Sequence, residues 1–83
     1  REKTSGSTFK NPSGKFAAEL IEKSGCKGMK IGGASISNVH ANFIINNGQA
    51  TATDIECLGK SVVKKVQNKF GTKLKWEIKI IGN

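Results

Sequence analysis

The pattern that most restricts the fold is a long amphipathic run that ends at Gly71. Its apolar residues recur every three or four positions and therefore share one side of a helix: Ile55, Leu58, Val62, Val63, Val66 and Phe70. Thr53, followed three residues later by Glu56, predicts a capping box at the start of this helix. Gly71 predicts its end, because glycine readily adopts the left-handed conformation that terminates many helices. The apolar side has to be buried against a second layer.

A stretch near the C-terminal end, in which every second residue is apolar, predicts that second layer. Its apolar residues alternate with charged ones, which indicates a strand with one buried face: Leu74, Trp76, Ile78 and Ile80. A second strand is predicted at 40–45 and a short extended run at 7–10. The glycine-rich segment Gly28–Ser37 predicts a loop with short extended pieces around Lys30–Ile31 and Ser35–Ser37.

A first helix is predicted over about 14–25, with Ser13 as its N-cap and Phe16 on its apolar side. The predicted order is then β-α-β-β-α-β. A chain of 83 residues is the size of one domain. Together these features predict a single α+β domain, a small sheet with two main helices packed on one face.

The charge balance points to an anionic partner. There are 14 lysines and arginines against 6 acidic residues, a net charge of +8. The sequence has no apolar run near the roughly 20 residues that span a bilayer. Cys26 and Cys57 form no CxxC pair and His40 adds no zinc spacing, so no metal site is predicted. Both cysteines are predicted at helical positions as reduced thiols, with a single disulfide as the alternative.

The segment Gly6–Pro12 is the first chemical candidate. It brings a hydroxyl, an ammonium and a carboxamide together on one loop edge: Ser7, Lys10 and Asn11. Loops on rigid scaffolds are frequent places for catalytic groups. The alternative is a strand edge closed by a turn, since Pro12 favours an extended residue before it.

Glu77 is the second candidate, an acid between Lys75 and Lys79 on the polar face of the last strand. A carboxyl group there could donate a proton or a hydrogen bond to a reacting carboxylate. The alternative is a charge pairing that only stabilises the sheet. The glycine segment 28–33 could bind phosphate through backbone amides, but a tight turn is the preferred interpretation.

Several separate stretches together resemble one family, the C-terminal substrate-binding domain of UDP-N-acetylenolpyruvoylglucosamine reductases. They occur in the family's order and cover nearly the whole chain: Gly6–Pro12, Ala17–Glu22, Gly28–Ala34, His40–Asn46 and Trp76–Gly82. The resemblance implies that Ser7 protonates the carbon beside the carboxylate of an enolpyruvyl ether. It implies that Glu77 lies by the same carboxylate and stabilises the enolic intermediate. Asn11, with Lys10 beside it, is implied to contact the substrate near its diphosphate.

The resemblance also implies that the hydride comes from FAD that NADPH has reduced. The flavin would be bound by N-terminal domains of the same enzyme, so no cofactor residue is assigned within 1–83. The expected partner is a UDP-sugar in cytoplasmic peptidoglycan precursor synthesis, with neither nucleic acid nor membrane as partner. The chain starts without methionine, and we expect a C-terminal piece of a longer flavoenzyme, inactive alone. The alternative is a small basic module that binds nucleic acid.

Overall fold

The computed structural model describes residues 7–77 and shows an α+β fold. Its elements follow the chain in this order: α1 (Ala17–Lys23), β1 (Lys30–Ile31), β2 (Ala34–Ile36), β3 (Ile44–Asn46) and α2 (Ala52–Phe70). The strands form one antiparallel sheet in the order β1-β2-β3. Helix α2 packs against β1 and β2, and α1 packs against α2. The predicted α+β class is confirmed.

The last two residues of the glycine segment 28–33, Gly32 and Gly33, form the tight turn between β1 and β2. Gly32 has φ of +56°, and the space beside the Gly33 Cα is taken by the backbone of Ala50. The Gly33 N–H donates to the Asp54 carboxylate at 3.3 Å. Because this amide is already paired and a side chain would collide here, the turn serves close packing and offers no phosphate cradle.

Helix α2 begins two residues earlier than the sequence predicted, so the Thr53–Glu56 capping box was wrong. Thr51 is the N-cap: its hydroxyl accepts from the Asp54 N–H at 3.0 Å, and the Asp54 carboxylate accepts from the Thr51 N–H at 3.2 Å. The same carboxylate also reaches the β1–β2 turn, a tertiary contact that favours this start. The predicted end at Gly71 is confirmed by its left-handed conformation, with φ of 69°.

Helix α1 is shorter than predicted, and the prediction of Ser13 as its N-cap was wrong. The residue at the N-cap position is Phe16, whose side chain is 68% exposed instead of buried. The cap comes from farther away, because the Asn11 Oδ1 accepts from the Ala17 N–H at 2.8 Å. Residues 12–15 form a turn that lets the Asn11 carboxamide reach the helix end.

The predicted strand at 40–45 is only partly correct. A turn comes first, in which the Ser37 hydroxyl accepts from the N–H groups of Val39 and His40 at 3.0 and 3.1 Å. Pairing with β2 starts only at Ile44. The predicted last strand is represented by one bridge, between Trp76 and Phe9. Its positions 78–80, with Lys79, lie outside the described residues, as does Gly6.

Helix α2 carries a buried glycine where Trp76 crosses it. A Cβ built on Gly59 would collide with the indole ring of Trp76. The same ring packs against Phe9, with centroids 5.0 Å apart and planes tilted by 47°. Glycine inside a helix costs about 1 kcal/mol relative to alanine, so its presence here is explained by the space that the indole needs.

Cys26 and Cys57 are both free thiols, as predicted, but Cys26 follows α1 and is not helical. Cys57 lies exposed on α2, and Cys26 is fully buried. Burial raises the pKa of the Cys26 thiol above its ordinary value of 9.0, and the Lys65 ammonium opposes this shift. The folded domain therefore favours the neutral thiol.

We expect Gly59→Ala to lower the stability although alanine is the better helix former. Overpacking of this kind costs about 1–3 kcal/mol, which exceeds the gain in helix propensity. Urea unfolding monitored by circular dichroism measures the net effect. In a Trp76→Phe background the ring is smaller, and the cost of the alanine should shrink. An equal cost in both backgrounds would show that Trp76 is not the obstacle.

We expect wild type to lose stability relative to Cys26→Ala as the pH rises above 9.0, the ordinary value for the thiol. A folded-state pKa above the unfolded one means that stabilisation by the neutral thiol is complete below the unfolded pKa. It disappears as the pH rises through the folded pKa. Unfolding free energies of both proteins between pH 7 and pH 11 test this. A constant difference would contradict it.

Candidate functional site

Two strand segments from opposite ends of the described chain form the candidate site. The Lys10 N–H donates to the Lys75 carbonyl and the Glu77 N–H donates to the Thr8 carbonyl, both at 2.9 Å. These bonds flank the antiparallel bridge between Phe9 and Trp76. They bring together two stretches that the sequence pattern could not pair.

The predicted catalytic residues come close in the backbone of this strand pair. Ser7 directly precedes Thr8, whose carbonyl accepts from the Glu77 N–H. Ser7 and Glu77 are both exposed. The intervening residues of the first segment, Thr8 and Phe9, are buried. The two exposed residues therefore lie at the same end of the paired segments, and the register places Thr8, the neighbour of Ser7, opposite Glu77.

Asn42 holds the first of these segments in place. Its side chain accepts from the Phe9 N–H at 3.0 Å and donates to the Phe9 carbonyl at 2.9 Å, and its backbone carbonyl accepts from the Thr8 N–H at 2.7 Å. The carboxamide is buried, and it makes the two hydrogen bonds that a neighbouring strand would otherwise make to the Phe9 backbone on this side. The sequence analysis missed this role because Asn42 stood inside a predicted strand.

A cleft of about 320 Å³ lies at the other end of the strand pair. Its lining combines three lysines with an amide and a turn: Lys10, Asn11, Pro12, Ser13, Lys73 and Lys75. The predicted substrate-binding residues Lys10 and Asn11 therefore face the same cleft. Lys73 and Lys75 join them only because the register places Lys75 opposite Lys10.

Asn11 has a structural contact that the sequence did not predict. Its Oδ1 accepts from the Ala17 N–H at the start of α1, which fixes the orientation of the carboxamide. The Nδ2 group is the donor end of the same amide and lies on a residue that lines the cleft. An amide held in this way can donate to an anionic oxygen without reorganising.

Residues 7–77 contain neither a cluster of metal ligands nor a membrane-spanning helix. Groups of three or more potential metal ligands do not occur among these residues. His40 instead lies against the Phe43 ring, with centroids 5.3 Å apart. In the same part of the chain, neither helix has the length and apolarity needed to cross a bilayer.

Comparison with known proteins identifies the family. The family model for "UDP-N-acetylenolpyruvoylglucosamine reductase, C-terminal domain" matches residues 1–81. The chain belongs to this family. The resemblance found in the sequence is confirmed.

Individual relatives agree with the assignment. The chain is 56% identical over 82 residues to a UDP-N-acetylenolpyruvoylglucosamine reductase of Bradyrhizobium sp. (strain ORS 278), covering 99% of this chain and 27% of the relative. It is 57% identical to that of Rhodopseudomonas palustris (strain HaA2), covering 99% and 26%. A crystal structure of the Thermus caldophilus reductase has a TM-score of 0.69 at 44% identity, covering 90% of this chain and 27% of that one. The chain thus spans about a quarter of the length of these proteins.

We expect Asn42→Ala to destabilise the domain by about 1–3 kcal/mol, because the buried N–H and carbonyl of Phe9 lose their partners. Denaturant unfolding measures the loss. Asn68→Ala is the matched control, since Asn68 is exposed on α2 and its removal should cost less than about 0.5 kcal/mol. Equal small effects of the two variants would contradict the role of Asn42.

Proposed function

We propose that this chain is the substrate-binding domain of a reductase that converts UDP-N-acetylglucosamine enolpyruvate to UDP-N-acetylmuramate. This reaction belongs to cytoplasmic synthesis of peptidoglycan precursors. The supporting observation is the pairing of Thr8–Lys10 with Lys75–Glu77, which sets Ser7 beside the strand that carries Glu77. Family membership supports the substrate class, and the pairing supports a shared role because it brings the backbone of the two residues close.

Ser7 is the proposed proton donor. Reduction of the enolpyruvyl double bond adds a hydride to one carbon and a proton to the carbon beside the carboxylate. A serine hydroxyl is a very weak acid, so it can protonate only a strongly basic enolate-like carbon. Its exposure at the end of a short, anchored strand leaves the hydroxyl open to such a substrate.

Glu77 is proposed to stabilise the charge that develops on the substrate carboxylate. Hydride addition pushes electron density toward that group, and a hydrogen-bond donor aimed at it lowers the barrier. In its protonated form the Glu77 carboxyl group can be such a donor. The neighbouring Lys75, two residues away on the same strand, adds a positive charge to this face.

Asn11 and Lys10 are proposed to contact the substrate at its diphosphate. Both line the cleft, which lies toward the opposite end of the strand pair from Ser7. An ammonium group and an amide donor are suitable partners for phosphate oxygens. The site would then bind the nucleotide at one end and position the enolpyruvyl group at the other.

Within residues 7–77, the glycine turn between β1 and β2 offers no phosphate cradle for FAD. The glycine turn is closed, because the Gly33 N–H donates to Asp54 and a side chain at Gly32 would meet the same carboxylate. Following the family resemblance, we assign FAD, reduced by NADPH, to N-terminal domains of the same enzyme. The chain 1–83 alone is expected to have no reductase activity.

In the full-length enzyme we expect Ser7→Ala to leave flavin reduction by NADPH nearly unchanged and to slow flavin reoxidation by the enolpyruvyl sugar by at least about a hundredfold, the usual contribution of a general acid. Stopped-flow absorbance of the flavin separates the two half-reactions. Ser61→Ala on α2 is the control and should affect neither. Equal losses in both half-reactions would refute the proton-donor role.

A further inference from the structure

The hydroxyl of Thr8 is a buried polar group without a hydrogen-bond partner among residues 7–77. Thr8 is 1% exposed, and its Oγ1 is the one buried side-chain oxygen or nitrogen of these residues that makes no hydrogen bond. The buried side chains of Ser37 and Asn42 are both hydrogen-bonded. Burying an unpaired hydroxyl is unfavourable, and a valine would fill the same space without that cost. The packing of this part of the chain therefore gives no reason for a threonine here.

Thr8 lies between the two residues that are proposed to act on the substrate. It directly follows Ser7 in the chain, and its carbonyl accepts from the Glu77 N–H at 2.9 Å. The bridge between Phe9 and Trp76, one residue farther along, sets Thr8 directly opposite Glu77. The Cβ atoms of directly opposite residues are about 4.5–5.5 Å apart, a separation at which threonine hydroxyls make cross-strand hydrogen bonds. A glutamate side chain is long enough to bring its carboxyl group back across this separation.

The backbone of Thr8 is held from both sides. Its N–H donates to the Asn42 carbonyl at 2.7 Å, and its carbonyl accepts from Glu77. Thr8 is buried whereas Glu77 is exposed, so the carboxyl group is the partner that can move. Because the hydroxyl is already ordered, only the glutamate side chain loses conformational freedom when the two groups pair.

We propose that Thr8 is a positioning residue, which holds the Glu77 carboxyl group in the orientation that acts on the substrate. This inference rests on the proposed function, because the role of Glu77 belongs to it. The Thr8 hydroxyl donates to the carbonyl oxygen of the protonated carboxyl group, and the O–H of that group remains available for the substrate carboxylate. A bound substrate excludes water from Glu77, and the carboxyl group then exchanges its solvent partners for Thr8.

Thr8→Val in the full-length enzyme tests this role, because valine keeps the shape of threonine and removes only the hydroxyl. Without substrate, the melting temperature of the variant should equal or exceed that of wild type, since an unpaired buried hydroxyl is replaced by a methyl group. In stopped-flow absorbance, the limiting rate of flavin reoxidation by the enolpyruvyl sugar should fall about three- to tenfold, the effect of one net hydrogen bond. The half-saturating sugar concentration should change less, and flavin reduction by NADPH should not change.

Three further variants separate positioning from a general effect on the fold. Thr8→Ser keeps the hydroxyl and should retain most of the limiting rate. Thr53→Val removes an exposed hydroxyl from α2 and should change neither half-reaction. In a Glu77→Ala background, Thr8→Val should slow reoxidation no further, because Thr8 acts through Glu77.

A lower melting temperature of substrate-free Thr8→Val would show that the hydroxyl already has a partner in the folded protein. An unchanged limiting rate would show that the reaction does not use the hydroxyl, and an equal loss in the Glu77→Ala background would show that it does not act through Glu77. Each of these results overturns the positioning role. Wild type is measured in parallel. If it reoxidises its flavin with the sugar while Thr8→Val does so equally fast, only the role of Thr8 is wrong. If wild type does not reoxidise its flavin with this sugar, the proposed function is wrong.

Discussion

The candidate site depends on the carboxamide of Asn42. A strand segment as short as Thr8–Lys10 has few contacts of its own, and its backbone groups must still find hydrogen-bond partners when buried. Asn42 pairs with both polar groups of Phe9 through a single side chain. The residue stands just before β3, so the segment is attached to the three-stranded sheet without joining it. The positions of Ser7 and Lys10 on either side follow from this attachment.

A second set of contacts fixes the other segment. Trp76 packs on Phe9 on one side and occupies the space above Gly59 on the other. Helix α2, whose start is locked to the β1–β2 turn through Asp54, thereby determines where Lys75 and Glu77 lie. The exposed residues of the strand are positioned by aromatic packing beneath them, since alternate residues of a strand point to opposite faces.

Local patterns predicted the local structure well. The apolar side of α2 and its end at Gly71 were predictable because helix periodicity and a left-handed glycine depend on neighbouring residues only. The predicted starts of both helices were wrong. Asp54, in the first turn of α2, also accepts a hydrogen bond from the distant Gly33 amide, and Asn11 caps α1 across the turn at residues 12–15. Ser7 and Glu77 were predicted as a catalytic pair through family resemblance, since spacing could not pair them. Asn42 and the Lys10–Lys75 pair were missed because each depends on a register set by tertiary packing.

The bridge between Phe9 and Trp76 also affects how the domain folds. Forming this bridge closes a loop that contains nearly all of the described chain. The chain loses the conformational entropy of that closure before the two strand segments gain their contacts. The helices and the β1–β2 hairpin depend on shorter loops and can form first. We therefore expect the strand pair to assemble last and its exposed ends to fray first. Amide hydrogen exchange at Lys10 and Glu77 would then be faster than at the buried positions of α2. A substrate that contacts both strands would close this opening and slow that exchange.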